Sequence, residues 1–167
     1  IPGYYGVNNV KYVKRLAFTV DETQANIQKS GYRVRDIGKK GDPTQPSMWE
    51  MNLKSFVTHP SENGEKLRAG LVQVQGVAFS GGSPVRGVEV SVDGGKTWQA
   101  ARFVGPHMGR YAWRNFVAQV NLPPGQYMIT SRAIAADGST QPEARVENER
   151  GYAHNGWRDH ALTVTVA

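Results

Sequence analysis

From Trp49 onward the chain alternates apolar and polar positions in short runs. Leu71–Phe79, LVQVQGVAF, sets valine against glutamine with the two-residue period of a half-buried strand. Gly87–Val92 repeats that period, and Thr97–Phe103 returns after Asp93–Gly94–Gly95, a tight-hairpin signal. Arg110–Val120, Gln126–Ala136 and Leu162–Ala167 predict three more strands, with turns at Leu122–Gly125 and Asp137–Gly138. Glu50–Thr58 alternates loosely and stops at His59–Pro60, before a turn at Ser61–Gly64. Roughly seven short strands with closely spaced turns predict an all-β fold, an immunoglobulin-like β-sandwich over 49–167. Trp98 and Trp113 are expected as core or inter-sheet aromatics.

The first third reads differently. Ile1–Gly6 is turn-rich, and Val10–Val20, VKYVKRLAFTV, carries the β-branched and aromatic residues of a strand or two short strands. Asp21–Pro46 is polar, contains Gly31, Gly38, Gly41, Pro43 and Pro46, and lacks a sustained period. It predicts an extended connection with a helical turn at Glu22–Gln28. Late in the sandwich, Gln141–His160 is a long irregular loop, the kind of segment that carries function on a rigid scaffold.

Composition narrows the chemistry. There are 167 residues and no cysteine, which excludes disulfides, thiolate metal sites and cysteine nucleophiles within this chain. No apolar run has the length of a membrane span, and no signal peptide is expected within these residues; one would sit upstream of Ile1. The chain opens on Ile1, as a processed product or a fragment of something longer would. A net charge of +6 is spread out, with Lys39–Lys40 the densest cluster, so a solvated basic surface is expected and no nucleic-acid partner.

Ser91–Trp98, SVDGGKTW, fits the Asp-box pattern, in which a carboxylate satisfies turn amides and a tryptophan packs below. A single copy predicts a stabilised hairpin and no propeller. His154, His160 and Asp159 share the long loop, but their spacing fits no metal motif, and no nucleophile elbow accompanies them. Neither a metal ligand nor a catalytic residue is assigned. Arg150, followed by Gly151 and flanked by Tyr152, His154 and Trp157, offers a planar fork to an oxyanion. Asn8–Asn9–Val10–Lys11 beside a glycine turn offers donors to a phosphate or polar cofactor edge.

IPGYYGVNNVKYVKRL, GVAFSGGSPVRGVEVSVDGGKTWQAA, GRYAWRNF, AADGSTQP and NERGYAHNGW occur in that order. Together they resemble the C-terminal part of the sulfite oxidase family of molybdenum enzymes, and most resemble bacterial sulfite dehydrogenases. The resemblance implies three parts: residues 1–20 as the edge of a molybdopterin domain, 21–48 as the connection, and 49–167 as a dimerisation domain. It implies oxidation of sulfite to sulfate, and a molybdenum–molybdopterin cofactor held mostly by an upstream domain. A homodimer, a c-type cytochrome acceptor and a periplasmic location also follow from it. Asn9, Val10 and Lys11 match positions that contact the cofactor, with Asn9 where many relatives have histidine. Arg150 matches the arginine that reaches into the substrate pocket. The family's molybdenum-ligating cysteine is missing, so this segment alone is expected to be inactive. Two other readings stand beside this one. One is a stand-alone sandwich module binding carbohydrate or protein. The other is a relative of the sulfane dehydrogenase type, sharing fold and cofactor; plant nitrate reductases share the architecture too.

Overall fold

The computed structural model describes residues 1–167. The alternating segments form β1 (Lys54–His59), β2 (Lys66–Leu67), β3 (Gly70–Phe79), β4 (Val85–Ser91), β5 (Gln99–Val104), β6 (Arg114–Leu122), β7 (Gly125–Ala135) and β8 (Leu162–Val166). They hydrogen-bond in the order β1-β3-β6-β5-β4-β7-β8-β2. The sheet curls where β5 meets β4, so β1-β3-β6-β5 forms one wall and β4-β7-β8-β2 the other. Every neighbouring pair is antiparallel except β2 with β8. The predicted immunoglobulin-like sandwich is therefore present. β2 is the strand that the alternation did not reveal, because two residues carry no period.

The period-2 pattern sets what each wall buries. Val74, Val90, Phe116, Ile129, Val164 and Val166 project between the walls and form the centre of the core. Ser55 Oγ on β1 meets Ser131 Oγ on β7 at 3.0 Å, so the core closes with a hydrogen bond across the two walls.

The Asp-box hairpin is built as its residues predict. Asp93 Oδ1 accepts from the backbone amides of Lys96 at 3.0 Å and Thr97 at 2.9 Å, while Oδ2 accepts from Thr97 Oγ1 at 2.6 Å. These donors, the Thr97 hydroxyl first, hold the Asp93 carboxyl far below the usual carboxylate range. Gly95 has φ +91°, and a Cβ there would run into the Trp157 ring, so this turn needs glycine twice over.

Three expectations are corrected. Val10–Val20 forms no strand, and Leu16, Phe18 and Val20 lie almost wholly in solvent. Strand propensity describes a fit to a pleated neighbour, and here no neighbouring strand lies alongside. Trp113 is no core residue. It is 54% exposed and stacks on Phe79 at 4.4 Å, whereas the buried tryptophan is Trp157. Trp98 sits between these extremes, in a T-shaped pair with Trp157 at 5.2 Å and with the Arg132 guanidinium 4.2 Å from its ring centre.

The third correction concerns the connection, whose helical turn lies at Ile27–Gly31 instead of Glu22–Gln28. The segment is also more ordered than "extended" implies. Arg33 and Arg35 are buried in it. Arg33 donates to the carbonyls of Gln28 (2.9 Å) and Gln45 (3.0 Å) and to Glu22 Oε2 (2.6 Å). Arg35 donates to the carbonyls of Lys39 and Arg33. A rigid five-donor fork can thus replace the hydrophobic period that the segment lacks. Residues Tyr32–Val34 run antiparallel to Pro46–Met48, and the N-terminal turn docks beside them through Tyr5 N–H to Trp49 O at 3.1 Å.

Candidate functional site: an arginine on the late loop

The loop between β7 and β8 is fastened at its start, middle and end. Gln141 is 1% exposed at its root. Its Oε1 accepts from Ser55 N–H (2.7 Å), Ser55 Oγ (2.9 Å) and Ala133 N–H (3.1 Å). Its Nε2 donates to the carbonyls of Ser55 (3.2 Å) and Asn155 (2.9 Å). One amide thus joins both walls to the loop. At the far end, Asn52 Nδ2 donates to Ala153 O (2.8 Å) and Lys54 Nζ to His154 O (2.8 Å).

Between these anchors Asn148 organises the turn that carries Arg150. Asn148 is buried, and its Oδ1 accepts from Arg150 N–H (3.3 Å) and Tyr152 N–H (2.9 Å), while Nδ2 donates to Tyr152 O (2.8 Å). This is the self-bonding turn for which asparagine is suited, and Gly151 supplies its positive φ of +64°. Glu149 ties the turn to the connection: its N–H donates to Arg35 O (2.9 Å) and its Oε2 accepts from Gly38 N–H (2.6 Å). Arg150 is exposed, with its backbone held on both sides.

The loop holds three arginines, and they differ in partners. Arg145 pairs with Glu147 at 2.6 Å, and Arg158 pairs with Glu143. Arg150 has no carboxylate partner. It is the loop's one arginine free to receive an outside anion.

Asn9, Val10 and Lys11 follow the N-terminal turn and are exposed. Asn9 spends its side chain locally: Nδ2 donates to Tyr5 O (3.2 Å) and Oδ1 accepts from the terminal amine of Ile1. The backbone amides of Val10 and Lys11 and the Lys11 ammonium have no acceptor in this chain. The turn and the loop share one end of the domain. Tyr5 and Val7 on one side and Gly151–His154 on the other line a cleft of about 380 Å³. A neighbouring cleft of about 610 Å³ runs on past Tyr4, Trp49 and Asn52. Asn9, Val10, Lys11 and Arg150 lie outside the lining of both.

His154 and His160 do come together, with ring centroids 5.7 Å apart. His154 Nε2 lies 2.9 Å from Asp159 Oδ2 and 2.6 Å from Arg145 Nη1. His160 packs beside Phe56, and its Nε2 is buried without a partner. Burial first, then the Lys54 and His154 charges, push the His160 pKa below its ordinary value, against a smaller opposing pull from Asp159. A lowered folded-state value means that the unfolded chain takes the proton first as pH falls. Stability from this site is complete above about pH 6.5, the ordinary histidine value, and declines below it. Urea melts at pH 7 and pH 5 should therefore differ less for His160→Gln than for the parent; an equal acid loss in both would remove His160 from the account.

Asn148, Gln141 and Arg35 are the functional supports that sequence reading missed. Asn148 had a usable signal, an asparagine two residues before Arg150 and three before Gly151. Gln141 and Arg35 had none, since burial of a polar side chain is visible only once its partners are placed.

The fold and this site together define an immunoglobulin-like sandwich domain whose late loop is docked on the preceding connection. Residues 45–165 match the Mo-co oxidoreductase dimerisation domain, and the chain belongs to that family. It is 32% identical to mitochondrial sulfite oxidase of Macaca fascicularis and 31% identical to that of Homo sapiens, over its whole length in both cases. It is 30% identical to inducible nitrate reductase [NADH] 2 of Glycine max, over 94% of this chain and 20% of that protein. Among solved structures it superposes on the sulfane dehydrogenase SoxCD from Paracoccus pantotrophus with a TM-score of 0.72 and 27% identity, over 97% of this chain and 41% of that one. The chain spans about a third (32%) of the length of these sulfite oxidases.

Proposed function

We propose that this chain is the C-terminal portion of a molybdopterin-dependent oxidoreductase that oxidises sulfite to sulfate. In this reading residues 1–20 edge the cofactor domain, 21–48 connect, and 49–167 form the dimerisation domain of a periplasmic homodimer. Membership of the family supports the oxidoreductase class, and the sulfite oxidases and SoxCD among the relatives support a sulfur substrate. The observation that carries the reading is Arg150, the loop's unpaired arginine on a turn fixed by Asn148 and Glu149. A sulfur oxyanion needs such a donor, already oriented and not neutralised by a carboxylate.

The donors after the N-terminal turn suit the periphery of the cofactor. Free amides at Val10 and Lys11 and the Lys11 ammonium match a phosphate or pterin edge, with Asn9 holding the turn beneath them. They do not match the metal, and the absence of cysteine means that this chain supplies no thiolate to it. When bound, the cofactor supplies two-electron redox and oxygen-atom transfer. This chain's residues bind and orient: Arg150 positions the anion, and the basic surface draws it inward.

The second reading, a sulfane dehydrogenase-type enzyme, is favoured by the superposition on SoxCD. Assay of the intact molybdenum-loaded protein separates the two. Sulfite-dependent reduction of cytochrome c supports the first reading. Turnover of a sulfane-sulfur substrate with none of sulfite replaces it by the second.

A further inference from the structure

The stretch Met48–Asn52 leads into β1 and lies between the two halves of the candidate site. On one side it meets the N-terminal turn. Tyr5 N–H donates to Trp49 O at 3.1 Å, Met51 N–H to Gly3 O at 2.9 Å, and Asn8 Nδ2 to Met48 O at 2.8 Å. On another side it meets the sandwich, where Gly81 N–H donates to Met51 O at 2.7 Å. Gly81 has to be glycine, since a Cβ there would run into Gly3 O and Met51 N. Turn, stretch and sandwich are thus held together along their backbones.

Asn52 ends this stretch and bonds to both halves. Its backbone N–H donates to the Tyr5 hydroxyl oxygen at 3.0 Å, and its Nδ2 donates to Ala153 O at 2.8 Å. Asn52, Tyr5 and Ala153 all line the cleft of about 610 Å³. The acceptor is unusual. Ala153 has φ +59°, the left-handed region that residues with a Cβ rarely occupy. A methyl side chain offers nothing local to favour it, so the surroundings must hold it there. Asn52 grips its carbonyl, and Lys54 Nζ grips the next one, His154 O, at 2.8 Å. Lys54 is a point charge on a flexible stem, whereas Asn52 is a short amide with a fixed direction. Ala153 follows Arg150 after only Gly151 and Tyr152. Its dihedrals therefore set how the chain leaves the Arg150 turn, and whether Tyr152 can keep its bonds to Asn148.

We propose that Asn52 is a positioning residue for the substrate anion. By holding Ala153 in its left-handed conformation it fixes the Arg150 turn against the N-terminal turn, and so the distance between the anion's donor and the cofactor edge. The inference rests on the sulfite reading above and adds to it the residue that joins the two halves. Asn52 does not touch the anion; it acts through Arg150. Alanine at this position keeps the N–H to Tyr5 and removes only the tie to Ala153. Asn52 is exposed, so its loss leaves no buried polar group behind and the sandwich should stay folded.

The test is steady-state sulfite oxidation by the intact molybdenum-loaded protein, with amide hydrogen exchange on the same samples. With a parent that oxidises sulfite, Asn52→Ala should raise KM about 10-fold and hold kcat within about twofold, the effect of one lost hydrogen bond. Added to Arg150→Gln, it should change nothing more, because a positioning residue has no effect once the group it positions is gone. Exchange over residues 148–154 should quicken about 10-fold while β3 and β6 stay parental. A parental KM in Asn52→Ala, or an equal rise with and without Arg150, overturns the proposal. A parent inert toward sulfite removes the sulfite reading, and exchange then decides. Parental exchange over 148–154 in Asn52→Ala overturns the positioning role, and faster exchange keeps it for the anion the enzyme does take.

Discussion

Gln141→Leu should lower unfolding stability by about 4 kcal/mol, the largest loss we expect from any near-isosteric change in this chain. The side chain is 1% exposed, and its oxygen is the acceptor for the backbone amides of Ser55 and Ala133. Leucine fills the space but leaves both amides buried without partners, at about 1–3 kcal/mol each. The loop also loses its tie at Asn155 O. For a domain of this size the melting temperature should fall by about 8–16 °C. Gln141→Glu keeps the oxygen acceptor but sets a buried carboxylate oxygen against the carbonyls of Ser55 and Asn155, so it should recover stability only at acid pH, where the carboxyl is protonated and can donate. Calorimetry showing a shift under about 2 °C for Gln141→Leu would mean that water replaces the amide and the hub is dispensable.

Arg150→Gln carries the second large effect, on catalysis and not on stability. The side chain is exposed and makes no ion pair, so the melting temperature should hold. In the intact enzyme kcat/KM for sulfite should fall about 100-fold, the loss of one to two charge-assisted hydrogen bonds, with most of it in KM. Arg150→Lys should recover part of the loss, because a point charge remains and the planar fork does not. Arg158→Gln, whose parent is already paired with Glu143, should stay near parental kinetics. An unchanged sulfite KM in Arg150→Gln would remove Arg150 from the substrate pocket and leave the family assignment untouched.

The sandwich was legible because its signal is periodic. Leu71–Phe79 was expected where Gly70–Phe79 is found, and Gln126–Ala136 where Gly125–Ala135 is found. Val10–Val20 misled because β-branched residues state a preference, and a strand also needs a partner for its backbone groups. Asp21–Pro46 hid its order because that order comes from Arg33 and Arg35, buried cations that a hydropathy pattern counts as surface. The candidate site divides in the same way. The loop and Arg150 stood out as an irregular stretch in a regular fold. The supports under Arg150 are long-range: Glu149 reaches Gly38, and Gln141 reaches Ser55, and no local window in the sequence contains either pair.

The order in which the strands join has a consequence during synthesis. β7 is complete at Ala135, but its outer neighbour β8 begins only at Leu162. At the usual pace of translation, about 5–20 residues per second, β7 waits a few seconds with one edge unpaired. Val164 and Val166 are the last members of the core to arrive. Until they clear the ribosome the nascent chain presents an open strand edge and an unfilled apolar interior, the features that invite pairing with the wrong chain. Slowing translation over Gln141–His160 should lengthen that interval, and shielding of the open edge would shorten the list of wrong partners.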